Sequence, residues 1–273
     1  MSEIAIRPLN PVIGGEIEGV DLSRPLTPET QKQIHEAWLD RQVIFFRDQD
    51  LTLEQHKAFG RQFAELHVHP NVPSHPEHRE VLVIRADENS KGVAGQGWHT
   101  DVSCDRNPPS GSILRLTEVP ASGGGDTLFA SMYSAYDALS DHWQRFLSGL
   151  TAVHESAHVH GGYGVKKEDL RDGDYARAEH PVVRTHPETG RKALYVNSGF
   201  TVRIRGMKRN ESRATLDFLF RHMEQPDFQC RFTWRPNSIA MWDNRCVQHL
   251  ATWDYFPETR HGYRVTLCGD KPV

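Results

Sequence analysis

The sequence predicts a mainly β fold with flanking helices, of the β-sandwich or jelly-roll type. Many short apolar runs are separated by Gly, Pro and Asn turns, which is the strand pattern of such folds. A few helical segments interrupt the strands without regular alternation, so a doubly wound parallel sheet is disfavoured. With 273 residues, the chain is long enough for one sizeable core, and residues 1–273 are predicted to form a single domain.

Two helices and one strand are predicted at the start of the chain. The segment PLTPETQKQIHEAWLDR is typical of a helix, with Thr27 as N-cap and Pro28 at the first helical position. A short buried strand, QVIFFRDQ, follows it. The segment LTLEQHKAFGRQFAEL is predicted to be a second helix, because Thr52 and Gln55 have the spacing of a capping box.

Strands dominate the remaining two thirds of the chain. VLVIRAD, SILRLTEVP and DTLFAS are predicted strands, and SAYDALSDHWQRFLSGL is predicted to be one helix. HPVVRTHP and KALYVN come next, before a helix over NESRATLDFLFRHME with Asn210 as N-cap. The last strands are QCRFTW, SIAMWDN, QHLAT and GYRVTLCG. Residues 155–180 are polar and lack periodicity, so they are expected to form a long loop or lid.

Composition disfavours several classes of protein. A net charge of -4 and a pI of about 6.5 leave no basic excess for neutralising nucleic-acid phosphates. The mean hydropathy is -0.60, and no apolar run approaches the roughly 20 residues of a membrane span. The N-terminal segment does not have the pattern of a signal peptide. The four cysteines form no C-x-x-C pair, which favours reduced thiols and a cytoplasmic protein.

The stretch GQGWHTDVSCD contains the first candidate ligands, His99 and Asp101. On an extended strand, side chains two positions apart leave the same face. Taken alone, the two residues fit a buried hydrogen-bonded pair at least as well as part of a metal site. His249, in WDNRCVQHLATWDY, offers a third ligand. Two histidines and one carboxylate are the ligand set of non-haem Fe(II) oxygenases, which leaves positions open for a bidentate cosubstrate and O2.

Residues that suit an acidic cosubstrate are also present. Arg260 and Arg264 lie in PETRHGYR, and each guanidinium is a planar fork that matches a carboxylate or sulfonate. Thr127 follows a glycine turn in GGGDTLFAS and supplies a hydroxyl. An arginine and a threonine together can hold the distal carboxylate of a diacid whose other end chelates the metal.

Several of these segments together resemble the TauD/TfdA family of Fe(II)- and 2-oxoglutarate-dependent dioxygenases. The matching stretches include WHTDVS, PPSGSILRLTEVPASGGGDTLFASMYSAYDALS, WDNRCVQH and RHGYRVTLCGDKP, and they run in order from about residue 5 to the end. The resemblance implies a double-stranded β-helix, which is a cupin-like jelly roll. It also implies that His99, Asp101 and His249 bind Fe(II), with 2-oxoglutarate and O2 as cosubstrates.

The same resemblance implies roles for five further residues. Thr127 and Arg260 match the positions that bind the C5 carboxylate of 2-oxoglutarate. The positions that face the acidic group of the prime substrate in taurine-type enzymes are matched by His69, Val102 and Arg264.

Two departures from the taurine enzymes bear on the substrate. Val72 replaces a tyrosine of those enzymes, and Gly95 replaces an asparagine. Both changes remove hydrogen-bonding groups, and a buried polar group left unpaired costs about 1–3 kcal/mol. Taurine is therefore not expected to be the substrate.

The activity expected from the resemblance is hydroxylation of a small organic anion, with succinate and CO2 as coproducts. Sulfonates, alkyl sulfate esters and aryloxyalkanoates are candidate substrates, and the hydroxylated product would collapse to an aldehyde or keto acid plus a leaving group. A dimer or tetramer is expected. The alternatives are a non-hydroxylating oxidation, a zinc hydrolase using the same three ligands, and a non-catalytic jelly-roll binding protein.

Other histidines and aromatic residues are interpreted more simply. HESAHVHGG places His154, His158 and His160 close together, but a solvated loop or lid is favoured over a second metal site. Pocket lining or core packing is expected for the aromatic residues Trp98, Phe129 and Trp242.

Overall fold

The computed structural model describes residues 4–69, 74–157 and 175–273. In these residues the helices are α1 (Pro28–Arg41), α2 (Leu53–Arg61), α3 (Met132–Asp137), α4 (Asp141–Leu147) and α5 (Arg209–Met223). The strands are β1 (Ala5–Pro8), β2 (Gly15–Glu18), β3 (Val43–Phe46), β4 (Ser74–His75), β5 (His78–Ala86), β6 (Gly111–Glu118), β7 (Thr127–Ser131), β8 (Thr151–Glu155), β9 (Arg177–Pro181), β10 (Val183–Thr185), β11 (Lys192–Leu194), β12 (Thr201–Ile204), β13 (Gln229–Phe232), β14 (Ser238–Asp243), β15 (Val247–Ala251) and β16 (Arg260–Leu267).

Two facing sheets form the centre of the molecule. The larger sheet has the strand order β1-β2-β3-β14-β6-β16-β5-β4, and the smaller one has the order β13-β7-β15. Strands β12-β8-β9 and β10-β11 form two further small sheets. Pairing is antiparallel except between β2 and β3. The predicted mainly β fold with flanking helices is confirmed, and its two facing sheets form a jelly roll.

Strand β3 shows why the large sheet is buried on both faces. Val43 and Phe45 belong to the core between the two sheets, and the Phe45 ring stacks on Phe232 of β13 with centroids 3.9 Å apart. Ile44 and Phe46 belong to a second core, which also contains residues of α1 and α2. Because side chains alternate along a strand, a continuous apolar run fits a strand that is covered on both faces.

Strand β16 carries both predicted arginines and contains a bulge between them. Val265 and Leu267 face the helix-side core, whereas Arg264 reaches the opposite side. The register with β6 shifts between His261 and Gly262. A Cβ atom on Gly262 would lie 2.1 Å from the Arg115 carbonyl oxygen, so only glycine fits there.

The predicted starts of α1 and α2 are confirmed, and each is capped by a threonine side chain. Thr27 caps α1 by accepting a hydrogen bond from the Thr30 N–H, and the Thr52–Gln55 capping box at α2 is confirmed. Helix α2 ends at Arg61, earlier than predicted.

Two helix predictions are wrong in detail. The segment predicted as one helix from Ser134 onward forms α3 and α4, because the Ser140 hydroxyl caps a new helix at the Trp143 N–H. Helix α5 has its N-cap at Lys208 rather than at Asn210. The Glu211 carboxylate accepts the Lys208 N–H at 2.9 Å, which starts the helix two residues early.

The predicted loop at 155–180 is shorter than expected. Strand β8 ends at Glu155 and β9 begins at Arg177, so the last residues of the proposed loop are a strand. Cross-strand pairing with β8 supplies hydrogen bonds that a polar sequence by itself does not indicate. Residues 158–174 lie outside the described part of the chain, and the lid stays a prediction, as does the single domain. None of the described helices has the length and apolar character needed to span a bilayer.

Replacing Gly262 with alanine is expected to lower the free energy of unfolding by about 1–3 kcal/mol, because the methyl group would overlap the β6 backbone. Urea unfolding measures the difference. The matched control is Gly92→Ala, since the nearest atom to a Cβ there is 3.8 Å away. If the two substitutions lowered the free energy of unfolding equally, the close contact between Gly262 and β6 would not be the cause.

Candidate active site

Three predicted ligands converge at one end of the sheet sandwich. His99 and His249 form an isolated antiparallel bridge, with N–O distances of 3.1 and 2.8 Å. Their ring centroids are 4.1 Å apart. The Nε2 atoms of His99 and His249 lie 3.8 and 4.0 Å from Asp101 Oδ1. The backbone bridge therefore brings together two histidines that are far apart in sequence.

The geometry of these atoms fits a divalent metal better than a hydrogen-bonded cluster. Both Nε2–Oδ1 distances exceed hydrogen-bonding range, but two ligands about 2.1 Å from a shared ion lie within about 4.2 Å of each other. His99 Nδ1 donates to the Gly97 carbonyl at 2.8 Å, which leaves the Nε2 lone pair free. The His249 ring is held by packing against Phe129 and Trp242. Two imidazoles and one carboxylate suit Fe(II).

The charge states of the three groups also suit metal binding. Burial lowers the pKa of His99 and, more strongly, that of His249. Burial would by itself raise the pKa of Asp101, but Arg264 and the two imidazoles outweigh it, so the pKa lies well below its usual range. Neutral imidazoles and an ionised carboxylate are the forms that bind metals.

The three predicted substrate residues lie around the same carboxylate. Arg264 Nη1 donates to Asp101 Oδ1 at 2.7 Å. Val102 has a φ of 48°, a left-handed conformation that is rare for a β-branched residue, and its N–H donates to none of the described residues. Burial, and then the charge of Arg264, lower the pKa of His69 to about 4, so that its ring is neutral at pH 7.

A second polar site is built from Arg260 and Thr127. Thr127 Oγ1 accepts from the Trp234 indole at 3.0 Å and from Arg260 Nη2 at 3.4 Å. An indole N–H and a guanidinium N–H can only donate, so both hydrogen bonds use lone pairs of Thr127 Oγ1. The Thr127 hydroxyl hydrogen must therefore point to another acceptor. Arg260 Nε donates to the Gly125 carbonyl at 2.9 Å. A side chain at Gly125 would collide with Arg260 and with the Tyr255 ring, so the glycine turn makes room for the guanidinium.

The buried charge of Arg260 has no ionic partner among the described residues. Its side chain is only 3 % exposed, and burial lowers its pKa to about 10. A buried cation without a counter-charge is unfavourable. The Tyr255 hydroxyl is also buried without a hydrogen-bond partner in the described part of the chain. These groups are arranged to receive an anion.

Strand register places this anion site at a defined distance from the histidines. Thr127 pairs with Ala251, two residues beyond His249 on β15. Two residues of an antiparallel strand span about 7 Å. This separation suits a short diacid with one end at the anion site and the other near His249.

Sequence reasoning missed several residues that shape the site. Ser112 donates to Asp101 Oδ2 at 2.6 Å, and Asn244 donates to Ser112. Trp234 and Tyr255 adjoin the Arg260 site. Ser112 and Asn244 both lie in stretches quoted for the family resemblance, but no motif distinguishes either of them or Trp234 in the sequence. The predicted aromatic residues Trp98, Phe129 and Trp242 are all buried.

A second group of potential metal ligands, His186, Asp243 and Cys246, is better explained by hydrogen bonding. His186 Nδ1 accepts two backbone N–H groups, so its Nε2 carries the proton and donates to Asp243 at 3.0 Å. Arg245 contacts both oxygens of Asp243. The carboxylate is therefore already neutralised.

The predicted histidine cluster near residue 154 does not form a metal site in the described residues. His154 is buried on β8, and its Nδ1 lies 3.0 Å from Ser103 Oγ. His158 and His160 lie outside the described part of the chain.

Comparison with known proteins identifies the family. Residues 5–266 match the family model described as taurine catabolism dioxygenase TauD, TfdA family. An alpha-ketoglutarate-dependent sulfonate dioxygenase of Saccharomyces cerevisiae is 35% identical, over 100% of this chain and 69% of its own length. An alpha-ketoglutarate-dependent sulfate ester dioxygenase of Pseudomonas putida is 34% identical, over 99% and 91%.

A solved structure is similar throughout. The crystal structure of a taurine dioxygenase from Burkholderia xenovorans has a TM-score of 0.86 and 41% identity, and the match covers 99% of this chain and 91% of that one. These matches identify the family, and they agree with the two facing sheets and with the convergence of His99, Asp101 and His249. The chain belongs to the TauD/TfdA family and is a 2-oxoglutarate-dependent non-haem iron dioxygenase, which uses Fe(II) and O2.

Proposed function

We propose that this dioxygenase hydroxylates a small organic anion at the site formed by His99, Asp101 and His249. The observation that carries the proposal is the convergence of these three ligands, together with the buried guanidinium of Arg260, which has no ion-pair partner among the described residues. The names of the two relatives support a sulfonate or an alkyl sulfate ester as substrate. An aryloxyalkanoate offers the same anionic group on a short chain.

His99, Asp101 and His249 would hold the iron, each through one atom. Bound iron supplies the O2 chemistry that couples decarboxylation of 2-oxoglutarate, to succinate and CO2, with hydroxylation of the substrate. The protein contributes neutral imidazoles, an ionised carboxylate and a buried surrounding. Three ligands leave three positions for small molecules.

Arg260 and Thr127 would bind the C5 carboxylate of 2-oxoglutarate. The guanidinium can offer two parallel N–H groups to a carboxylate, and the Thr127 hydrogen has no acceptor among the described residues. The anion would neutralise Arg260, so its binding removes an existing electrostatic penalty. This makes the site selective for an acid at that end.

Arg264, Val102 and His69 would bind the anionic group of the prime substrate. Arg264 carries a positive charge beside Asp101, and the neighbouring Val102 offers a backbone N–H that donates to none of the residues that the structure describes. His69, whose ring is neutral at pH 7, would be the third residue around this group. The anion would thereby be oriented with its adjacent carbon towards the metal, and orientation accounts for much of the protein's contribution to rate.

Gly95 argues against a substrate that carries an amine. A Cβ at this position would lie 3.1 Å from His99 Cε1, so Gly95 borders the metal site and contributes no hydrogen-bonding side chain. Val72 lies outside the described residues. A sulfonate or sulfate ester without an amine fits better, and hydroxylation of the carbon next to sulfur or oxygen would release sulfite or sulfate with an aldehyde or keto acid.

Three further properties are proposed from the sequence. The four cysteines are free, three of them buried, which supports a cytoplasmic enzyme. Family resemblance supports a dimer or tetramer. Residues 1–273 would form one domain with a lid within 155–180.

The competing functions differ in their requirements. A zinc hydrolase has no need for Arg260 or Thr127. A non-catalytic binding protein could keep the arginines but could dispense with the three ligands, and membership of a dioxygenase family argues against both functions. A non-hydroxylating oxidation would use the same residues, and product analysis separates it from hydroxylation.

Anaerobic addition of Fe(II) and 2-oxoglutarate is expected to produce the weak visible charge-transfer band of an iron chelate. His99→Ala should abolish the band because it removes one of only three protein ligands. His186→Gln is the control, because the second His–Asp group is expected to bind no metal. A band that survives His99→Ala would place the iron elsewhere.

Saturating 2-oxoglutarate should raise the melting temperature of the anaerobic Fe(II) protein. At a concentration 100-fold above Kd, the added stability is about 2.7 kcal/mol. Arg260→Met should lose most of this increment, whereas Arg85→Met, which removes an exposed arginine of β5, should retain it. Differential scanning calorimetry measures the melting temperature of each variant with and without 2-oxoglutarate. An undiminished increase in Arg260→Met would contradict the proposal that Arg260 binds 2-oxoglutarate.

A substrate screen by succinate formation should favour alkyl sulfates, alkylsulfonates or aryloxyalkanoates over taurine. The unpaired amine of taurine costs about 1–3 kcal/mol, which corresponds to a kcat/KM about 5- to 150-fold lower. If taurine were the best substrate, the interpretation of Gly95 would be wrong.

A further inference from the structure

A buried chain of hydrogen bonds runs behind Asp101, on the side away from the histidines. The Trp242 indole donates to Asn244 Oδ1 at 2.9 Å, and Asn244 Nδ2 donates to Ser112 Oγ at 3.0 Å. Ser112 Oγ then donates to Asp101 Oδ2 at 2.6 Å. All four residues are at most 3 % exposed. We call these residues the carboxylate relay.

The Trp242 indole, at the end of the relay away from Asp101, determines the direction of every hydrogen bond in it. An indole N–H can only donate, so the amide atom that faces Trp242 must be the oxygen. The Asp101 backbone N–H also points to this oxygen, at 3.3 Å. The Asn244 amine must therefore face Ser112, whose hydroxyl accepts this bond and has its single hydrogen left for the carboxylate.

The relay occupies one oxygen of Asp101 and leaves the other for the metal. Oδ2 receives the Ser112 hydroxyl, whereas Oδ1 accepts a hydrogen bond from Arg264 Nη1 at 2.7 Å and faces the Nε2 atoms of His99 and His249 with its remaining lone pair. A carboxylate with both oxygens free can rotate or bind a metal through both. With Oδ2 bonded, the carboxylate keeps one rotamer and presents one oxygen.

The relay also connects a loop residue to the rigid sheet. Ser112 of β6 and Trp242 of β14 are cross-strand partners in the centre of the large sheet. Asp101 lies in a turn outside the named strands. The Asn244 carbonyl accepts the Thr100 hydroxyl at 2.7 Å, so the same asparagine holds the loop backbone and, through Ser112, the ligand side chain.

We propose that Ser112 and Asn244 are positioning residues that hold Asp101 as a one-oxygen iron ligand. The proposal rests on the proposed function, since it requires His99, Asp101 and His249 to bind the metal. One-oxygen binding preserves three open positions, two for 2-oxoglutarate and one for O2. Ser112 and Asn244 would thus act on the number of vacant positions through Asp101, without touching the metal, cosubstrate or substrate themselves.

The test is the affinity of the metal-free protein for Fe(II), measured anaerobically by calorimetric titration. Loss of a hydrogen bond to a metal ligand typically weakens metal binding 10- to 100-fold, and this range is expected for Ser112→Ala. The matched control is Ser110→Ala, which removes a buried hydroxyl bonded to the Cys268 carbonyl and should stay within about twofold of wild type. Wild-type Fe(II) affinity in Ser112→Ala would overturn the proposal.

A second pair of variants tests the far end of the relay. Trp242→Phe removes the indole N–H that orients Asn244 and should weaken Fe(II) binding. Trp38→Phe is its control, because Trp38 is equally buried and its indole N–H has no partner among the described residues. If Trp242→Phe binds Fe(II) as tightly as Trp38→Phe, the proposal fails, whether or not Ser112→Ala folds.

The double variant separates the relay from simple packing of Trp242 against His249. Within one relay the losses overlap, so Ser112→Ala/Trp242→Phe should bind Fe(II) no more weakly than Ser112→Ala alone. If the loss of Fe(II) affinity in the double variant equalled the product of the two single losses, the proposal would be overturned. Failure of the proposed function is a different result: the wild-type protein itself would then show no chelate band with Fe(II) and 2-oxoglutarate.

Discussion

The buried carboxylate of Asp101 is the group on which the rest of the site depends. It is almost completely removed from water, and an ionised carboxylate in that position must be compensated. Arg264 and Ser112 each contribute one hydrogen bond, and the two imidazoles face the remaining side of Oδ1. The Nε2 atoms of both imidazoles lie beyond hydrogen-bonding distance of Oδ1 but within the distance that separates two ligands of one ion, so the arrangement favours a bound divalent metal.

The Arg260 site follows the same principle with the opposite sign. A guanidinium is buried beside a threonine hydroxyl whose hydrogen has no acceptor among the described residues, and only an added anion completes both. One diacid that chelates the metal can satisfy the two sites together. Cosubstrate binding and metal binding would therefore be linked, because one diacid could contact the metal with one end and Arg260 with the other.

The jelly roll makes this possible because its sheets hold charged groups in fixed positions. Arg260 and Arg264 lie on one strand, on either side of the bulge between His261 and Gly262, and donate to different groups, the Gly125 carbonyl and the Asp101 carboxylate. His249 lies on the opposite sheet, and a backbone bridge joins it to His99. Strands that are buried on both faces resist rearrangement, so these side chains keep their relative positions whether or not a cation is bound.

The sequence by itself determined the fold class, the capped starts of α1 and α2, and the identity of the residues that meet at the site. These features depend on local spacing and on residue chemistry: alternation along strands, a capping box, and the combination of His99, Asp101, His249 and Arg260. Only the tertiary structure decided the N-cap of α5 and the break between α3 and α4. It also decided the contacts of Ser112, because an ordinary serine in a strand acquires its role from a cross-strand neighbour and from a loop carboxylate, and neither lies near it in an unfolded chain.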